Sequence, residues 1–173
     1  MTGDDRWYEA AFVVGITNAL NVVADGLAAT LPPPAPASVD PEAAAVFADA
    51  RAFYGLPAGD VPTPFAVLAR DPGYLTDLWA AVKRAFEERR LTRRHKEALA
   101  FAVSLTTRSP FGTGFHLAQL RRLGVGERGL MEIVGVTQMF SSYTKIADTL
   151  QLTSDMADIA PVDTSGVPDA AMP

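Results

Sequence analysis

Glu97 and His116 are the two side chains of this chain that best suit acid–base chemistry, and they lie 19 positions apart. An imidazole can take up or release a proton near neutral pH, and a carboxylate beside it can orient the ring and stabilise its charged form. His116 is one of only two histidines. The pair therefore predicts proton transfer as the chemistry available to the chain.

The residues alone leave two interpretations open for each member of this pair. Glu97 shares a predicted helical face with Ala100 and Ser104, which indicates an inward position. It also follows Arg93 by four residues, so it could instead form a surface ion pair. His116 precedes a leucine directly, and it is either a satisfied core residue or a proton carrier.

Ser109 and Gly112 lie between the pair, and Pro110 follows Ser109 directly. Serine before proline is typical of a helix N-cap with proline at the first helical position. No Gly-x-Ser-x-Gly motif supports Ser109 as a nucleophile, and no Lys-Ser/Thr follows Gly112 to make a phosphate loop. Two metal ligands fall short of the three or four that a stable site needs, so we predict no metal site and no cofactor.

The chain has no cysteine among its 173 residues. A thiol peroxidase needs one thiolate to attack the peroxide and a second thiol to resolve the sulfenic acid. The chain cannot run that cycle with its own side chains. Disulfides and thiolate metal sites are excluded in the same way.

The segment from Leu91 to Gly124 resembles the signature of the alkylhydroperoxidase D-like, or carboxymuconolactone decarboxylase, family. In the thiol-peroxidase members of that family a Glu is followed, twelve residues later, by Cys-x-x-Cys-x-x-x-His. Here Glu97 and His116 take the outer positions, while Ser109 and Gly112 take the cysteine positions. The resemblance extends over about residues 55–152, because a proline-flanked opening helix precedes the signature and a pair of helices follows it.

The resemblance implies an all-α fold, an alkylhydroperoxidase D-like bundle of about seven to eight helices, assembled as a homotrimer or hexamer. It favours a partly buried Glu97 and catalytic roles for Glu97 and His116. It places Ser109, Phe111 and Gly112 beside a small-molecule ligand, in surroundings that Phe111 makes more apolar than in the peroxidases.

Two functions stay open on this basis. The chain is either a decarboxylase-like enzyme that acts on a small carboxylate or lactone without a thiol, or a non-catalytic member that binds a ligand or assembles with a partner. A well-formed pocket with Glu97 and His116 converging in it would favour the enzyme. A pocket filled by Phe111 and Phe115 would favour the non-catalytic member.

Apolar spacing, prolines and capping residues predict helices at about 4–31, 41–54, 63–69, 72–89, 93–107, 109–123 and 127–152. No segment alternates with the period of a strand, so no sheet is expected. The proline-rich stretch 31–38 predicts a stiff connector. We predict one domain over residues 1–152, with extra N-terminal helices at 4–54 before the family-matched core, and an extended tail at 153–173.

The composition of the chain limits the kinds of partner that are expected. A net charge of −5 and a pI near 4.9 argue against nucleic acid, and a basic cluster within 89–96 is interpreted as a solvated helix junction rather than as an anion site. No apolar run approaches the roughly 20 residues of a membrane span, and the acidic N-terminus does not resemble a secretory signal. We therefore expect no membrane partner and a cytoplasmic location. Helices that are apolar on more than one face, such as 10–23, predict a homo-oligomer in which the first helix and the tail are exchanged.

Overall fold

A computed structural model of the protein describes residues 4–28, 30–35 and 38–152, and every regular element within them is helical. This confirms the predicted all-α class for the described residues. The helices are α1 (Asp4–Val22), which continues as a π-helical segment (Val23–Leu27), α2 (Pro41–Tyr54), α3 (Thr63–Leu68), α4 (Pro72–Phe86), α5 (Arg93–Thr106), α6 (Pro110–Arg122) and α7 (Glu127–Thr149). The predicted tail at 153–173 lies outside the described residues.

The chain divides into two compact units, residues 1–123 and residues 124–173. The boundary between these units falls before α7. The single domain predicted over residues 1–152 stays a prediction. The first unit holds α1 to α6 and contains the whole Glu97–His116 region. The second contains α7.

The core of the first unit forms where α1 and α6 pack against α5 and where α2 packs against α4. Its largest buried side chains come from α2 to α4 and are joined by an inward stripe of α1. The fully or nearly fully buried members include Val13, Leu20, Tyr54, Phe65, Leu75, Trp79, Val82 and Phe86. Helix α1 packs on α4, α5 and α6 of its own chain. Its opposite face leaves Val14 and Val22 40% and 62% exposed, so exchange of this helix between subunits stays a prediction.

Most helix starts agree with the predicted caps, because caps depend on neighbouring residues. The Asp40 carboxylate accepts the Glu42 N–H at 2.8 Å, and Pro41 occupies the first helical position of α2. Asp71 and Thr92 cap α4 and α5 in the same way. Gly55 ends α2 at φ 62°, a left-handed conformation that favours glycine.

Helix α4 ends at Phe86 rather than near residue 89, and the reason is a contact from α1. The Glu9 carboxylate accepts the backbone N–H groups of Arg90 and Leu91 at 2.9 and 3.1 Å. The Lys96 ammonium donates to the Glu87 carbonyl. These bonds satisfy backbone groups that further helix would have paired, so the chain turns early.

The helix Asp5–Leu27 is long enough and apolar enough to cross a membrane, with a mean hydropathy of 1.5. This corrects the prediction that no apolar segment approaches such a length. A third of the apolar window is buried inside the protein. A core helix passes the same test of length and composition, so the finding does not assign a membrane.

Candidate functional site

Helices α5 and α6 bring Glu97 and His116 into direct contact. The Glu97 carboxylate lies 2.7 Å from Nδ1 of His116, and both side chains are buried. Glu97 is fully buried, which is deeper than the partly buried position that the sequence suggested. The carboxylate fixes the ring and occupies Nδ1, so Nε2 is the nitrogen left for any other partner.

Arg93 extends this pair into a three-residue network. Its Nε donates to the second carboxylate oxygen of Glu97 at 2.8 Å, while its own side chain is only 11% exposed. The ion pair expected from the four-residue spacing therefore forms, but inside the protein rather than on its surface. Arg93, Glu97 and His116 together make a buried row of cation, anion and imidazole.

Aromatic rings enclose the network. The Arg93 guanidinium lies over the rings of Phe53, Tyr54 and Phe86, at 4.4, 5.0 and 5.2 Å from their centroids. These contacts offset the cost of Nη2 of Arg93, which has no hydrogen-bond partner among the described residues. Phe86 also stacks on the His116 ring at 5.9 Å and 7°.

Tyr54 is the only phenol in this shell. Burial, followed by the Glu97 charge, raises the pKa of Tyr54 well above its ordinary value. Its hydroxyl therefore stays protonated, and Tyr54 offers an aromatic wall and not a base.

Little space remains beside His116. The cavity that its ring lines has a volume of about 10 Å³, and Tyr54, Phe111 and Phe115 form part of its wall. A buried water needs roughly 10–15 Å³, so this space holds one water at most. Phe111 and Phe115 stack on each other at 5.5 Å, and both rings line this cavity.

Ser109 acts as the N-cap of α6. Its Oγ accepts the Gly112 N–H at 2.9 Å, and the residue is almost completely buried. The capping interpretation is therefore confirmed. Among the described residues, no base is hydrogen-bonded to the Ser109 hydroxyl to activate it as a nucleophile.

Gly112 lies against two polar side chains that the sequence analysis did not assign to the site. A Cβ at this position would lie 2.2 Å from Oδ1 of Asn21 and 2.3 Å from Oγ of Ser104. Nδ2 of Asn21 donates to Ser104 Oγ at 3.1 Å and to Thr107 Oγ1 at 3.2 Å. The position where the peroxidase signature has its second cysteine therefore has no room for any side chain. The available signal in the sequence was that Asn21 lies within the mainly apolar α1.

The basic cluster at 89–96 is only partly solvated. Lys96 is fully buried and paired with Glu9, and Arg93 belongs to the network above, so the interpretation as a solvated junction is wrong for these two. Arg89 and Arg90 are exposed and paired with Glu87 and Asp5, at 3.1 and 3.4 Å. They line an open groove of about 780 Å³ whose wall contains both acidic and basic side chains. This mixture does not favour an anion there.

Metal ligation has no support within the described residues, since no group of three or more histidine, aspartate and glutamate side chains is placed to hold an ion. Glu97 and His116 converge without a third ligand.

Comparison with known proteins agrees with the resemblance of the signature segment. Residues 72–155 match the model of the carboxymuconolactone decarboxylase family, and this range includes Glu97 and His116. Over 92 residues the chain is 34% identical to an alkyl hydroperoxide reductase of Mycobacterium tuberculosis. That match covers 53% of the chain but only 26% of the relative, so the chain spans about a quarter of the relative's length.

A solved structure, the alkylhydroperoxidase AhpD core of Rhodospirillum rubrum, superposes with a TM-score of 0.67 at 26% identity. The match covers 76% of this chain and 98% of that one. Residues 55–173 are 119 of the 173 residues, or about 69%. The shared fold therefore includes part of 4–54, which the sequence analysis treated as an addition to the core.

Proposed function

We propose that this chain, which has an AhpD-like fold and no cysteine and whose residues 72–155 match the carboxymuconolactone decarboxylase family, is a non-catalytic member of that family that works by assembly. In this proposal Arg93, Glu97 and His116 form a structural ion network and not a proton relay. The observation that carries the proposal is the closed site: Glu97 and His116 meet, but the space beside them holds one water at most.

Stability measurements test this role. Glu97→Gln leaves the buried Arg93 cation without its partner, and breaking a buried pair costs about 3–5 kcal/mol. Substituting a catalytic residue is often neutral or stabilising instead, because active sites hold strained or uncompensated groups. Urea unfolding should therefore show a large loss for Glu97→Gln. The exposed pair Arg128–Glu132 provides the control, since Glu132→Gln should change the unfolding free energy by less than about 0.5 kcal/mol.

Peroxidase assays test the negative half of the proposal. The purified, metal-free protein should not reduce an alkyl hydroperoxide with a dithiol donor, because it has no thiolate to attack the peroxide. Robust turnover would contradict the proposal.

Assembly is supported by the exposed face of α7. Val136, Met139, Tyr143, Ile146 and Leu150 follow one another at alternating steps of three and four residues, and each is 48–63% exposed. This spacing matches the a and d positions of a coiled coil. The flanking e and g positions hold only uncharged residues, so no like charges oppose pairing of this face with the same face of a second copy.

Light scattering at micromolar concentration tests the assembly. We expect the mass of a trimer or hexamer, and any mass of a dimer or larger would support the assembly. Ile146→Lys should lower the mass because it places a charge in the apolar stripe, whereas Thr144→Lys, on the polar face of the same helix, should not. A mass near 18.4 kDa for the unmodified protein would refute the assembly role.

A decarboxylase-like enzyme is the second candidate, favoured by one specific observation. With Nδ1 held by Glu97, the other nitrogen of His116 is available to a water in the adjoining cavity, which is an arrangement that could transfer a proton. Release of carbon dioxide from a small carboxylate or carboxylated lactone, abolished by His116→Asn, would establish this function. Glu97→Gln with near-normal stability would support it as well.

A further inference from the structure

A second cavity, of about 360 Å³, lies in the first unit away from Glu97 and His116. It forms between the proline-rich connector, α2 and the loop that leads into α3. Its wall includes Pro33, Pro34, Val39, Phe47, Arg51 and Val61. The volume falls at the lower end of the 300–1,000 Å³ typical of small-molecule sites.

Proline rings and two hydrogen bonds hold the wall of this cavity in place. Pro33 and Pro34 have a locked φ angle. The Arg70 guanidinium donates to the Pro32 carbonyl through Nη2 at 2.7 Å and through Nε at 3.2 Å. This pair of bonds holds the connector to the end of α3, so the cavity does not need a ligand to form.

Arg51 provides the one charged group in the wall. Its guanidinium makes no hydrogen bond or ion pair with any described residue, and no carboxylate is among the described residues that line the cavity. Arg70, by contrast, is used in holding the connector. An arginine with free donors at the edge of an apolar cavity favours a carboxylate, which it can bind through two parallel hydrogen bonds.

We propose that this cavity binds a small monocarboxylate with a compact aromatic or branched apolar body. The apolar body lies against Phe47, Val39 and Val61, and the carboxylate pairs with Arg51. The site shares no residue with the Arg93–Glu97–His116 network, so it stands or falls independently of the proposed function.

Titration of phenylacetate into the ¹⁵N-labelled protein tests the proposal, with the neutral phenylacetamide as the matched probe. Saturable shifts are expected at the amides of Phe47, Val61 and their neighbours. Arg51→Gln should weaken phenylacetate binding about ten- to hundred-fold, which is the effect of losing a charge-assisted hydrogen bond. It should leave binding of phenylacetamide unchanged. Arg121→Gln, which removes an exposed arginine of α6, is the control and should change neither.

A second variant tests the contribution of the cavity separately from that of the Arg51 charge. Ala66→Phe fills the cavity while keeping Arg51, so it should abolish binding of both probes. The ¹⁵N spectrum and the urea unfolding midpoint of this variant show whether the fold is retained. The proposal is overturned if phenylacetate binds Arg51→Gln as well as it binds the unmodified protein. It is also overturned if phenylacetate causes no saturable shift at these amides.

Discussion

Adding one methyl group at Gly112 should destabilise the protein, whereas adding the same group two residues later at Gly114 should not. Both glycines lie in α6. A Cβ at Gly112 would lie 2.2 and 2.3 Å from the polar atoms of Asn21 and Ser104, about 1.2 Å closer than an ordinary contact of 3.4 Å. A Cβ at Gly114 would meet nothing within 4 Å.

The expected magnitudes follow from three effects. Alanine is better than glycine in a helix by about 1 kcal/mol, and this gain applies at both positions. At Gly112 it is outweighed by overpacking, about 1–3 kcal/mol. The hydrogen bond from Asn21 to Ser104 must also break or shift, which costs about 0.5–1.5 kcal/mol. Gly112→Ala should therefore lose about 1–3 kcal/mol net, and Gly114→Ala should gain up to about 1 kcal/mol.

Urea unfolding followed by circular dichroism measures both variants. The same substitution can also be made in the double variant Asn21→Ala, Ser104→Ala, in which both obstructing atoms are absent. There the loss from Gly112→Ala should shrink by about 0.5–3 kcal/mol, the usual coupling between contacting residues. An unfolding free energy for Gly112→Ala equal to or above that of Gly114→Ala would refute the packing argument.

Two further predictions concern ion pairs of the first unit. Burial alone would raise the pKa of the Glu9 carboxyl, but hydrogen bonds from Lys96 and from backbone N–H groups hold it below 4.5. Its stabilising contribution is therefore present above about pH 4.5 and is lost as the pH falls through the lowered value, so unfolding free energies of the protein and of Glu9→Gln should converge in acid. Asp49→Asn should cost about 1 kcal/mol in urea unfolding, because Asp49 accepts hydrogen bonds from Lys83 and Trp79 at 2.8 Å. An unchanged midpoint for Asp49→Asn, or a constant Glu9→Gln difference across the acid range, would contradict these assignments.

Local features of the sequence predicted most of the helices. Caps such as Asp40, Asp71 and Thr92 act on backbone groups two or three residues away, so short patterns are enough to identify them. The end of α4 was missed because the groups that end it include Glu9, which lies 81 residues before Arg90. No local pattern carries that information.

The site shows the same division between local and distant causes. The four-residue spacing of Arg93 and Glu97 allowed for their ion pair, and the family resemblance singled out Glu97 and His116. An inward Glu97 was expected, but the burial of Arg93 was not, because it depends on rings from α2 and α4 that close over its guanidinium. The role of Asn21 was equally hidden, since it contacts Ser104 across 83 residues.

A cysteine at residue 112 would not fit the packing of this protein, since Asn21 and Ser104 occupy the space that a side chain there would need. Gly112→Cys alone would place the cysteine Cβ against the Asn21 amide and the sulfur atom further into the same packed region. The substitution should therefore destabilise the protein without providing an accessible thiol. Both Asn21 and Ser104 would have to be shortened first. The Glu97–His116 contact can persist without the cysteines because its stability comes from Arg93 and the surrounding rings, and none of those contacts involves residue 112.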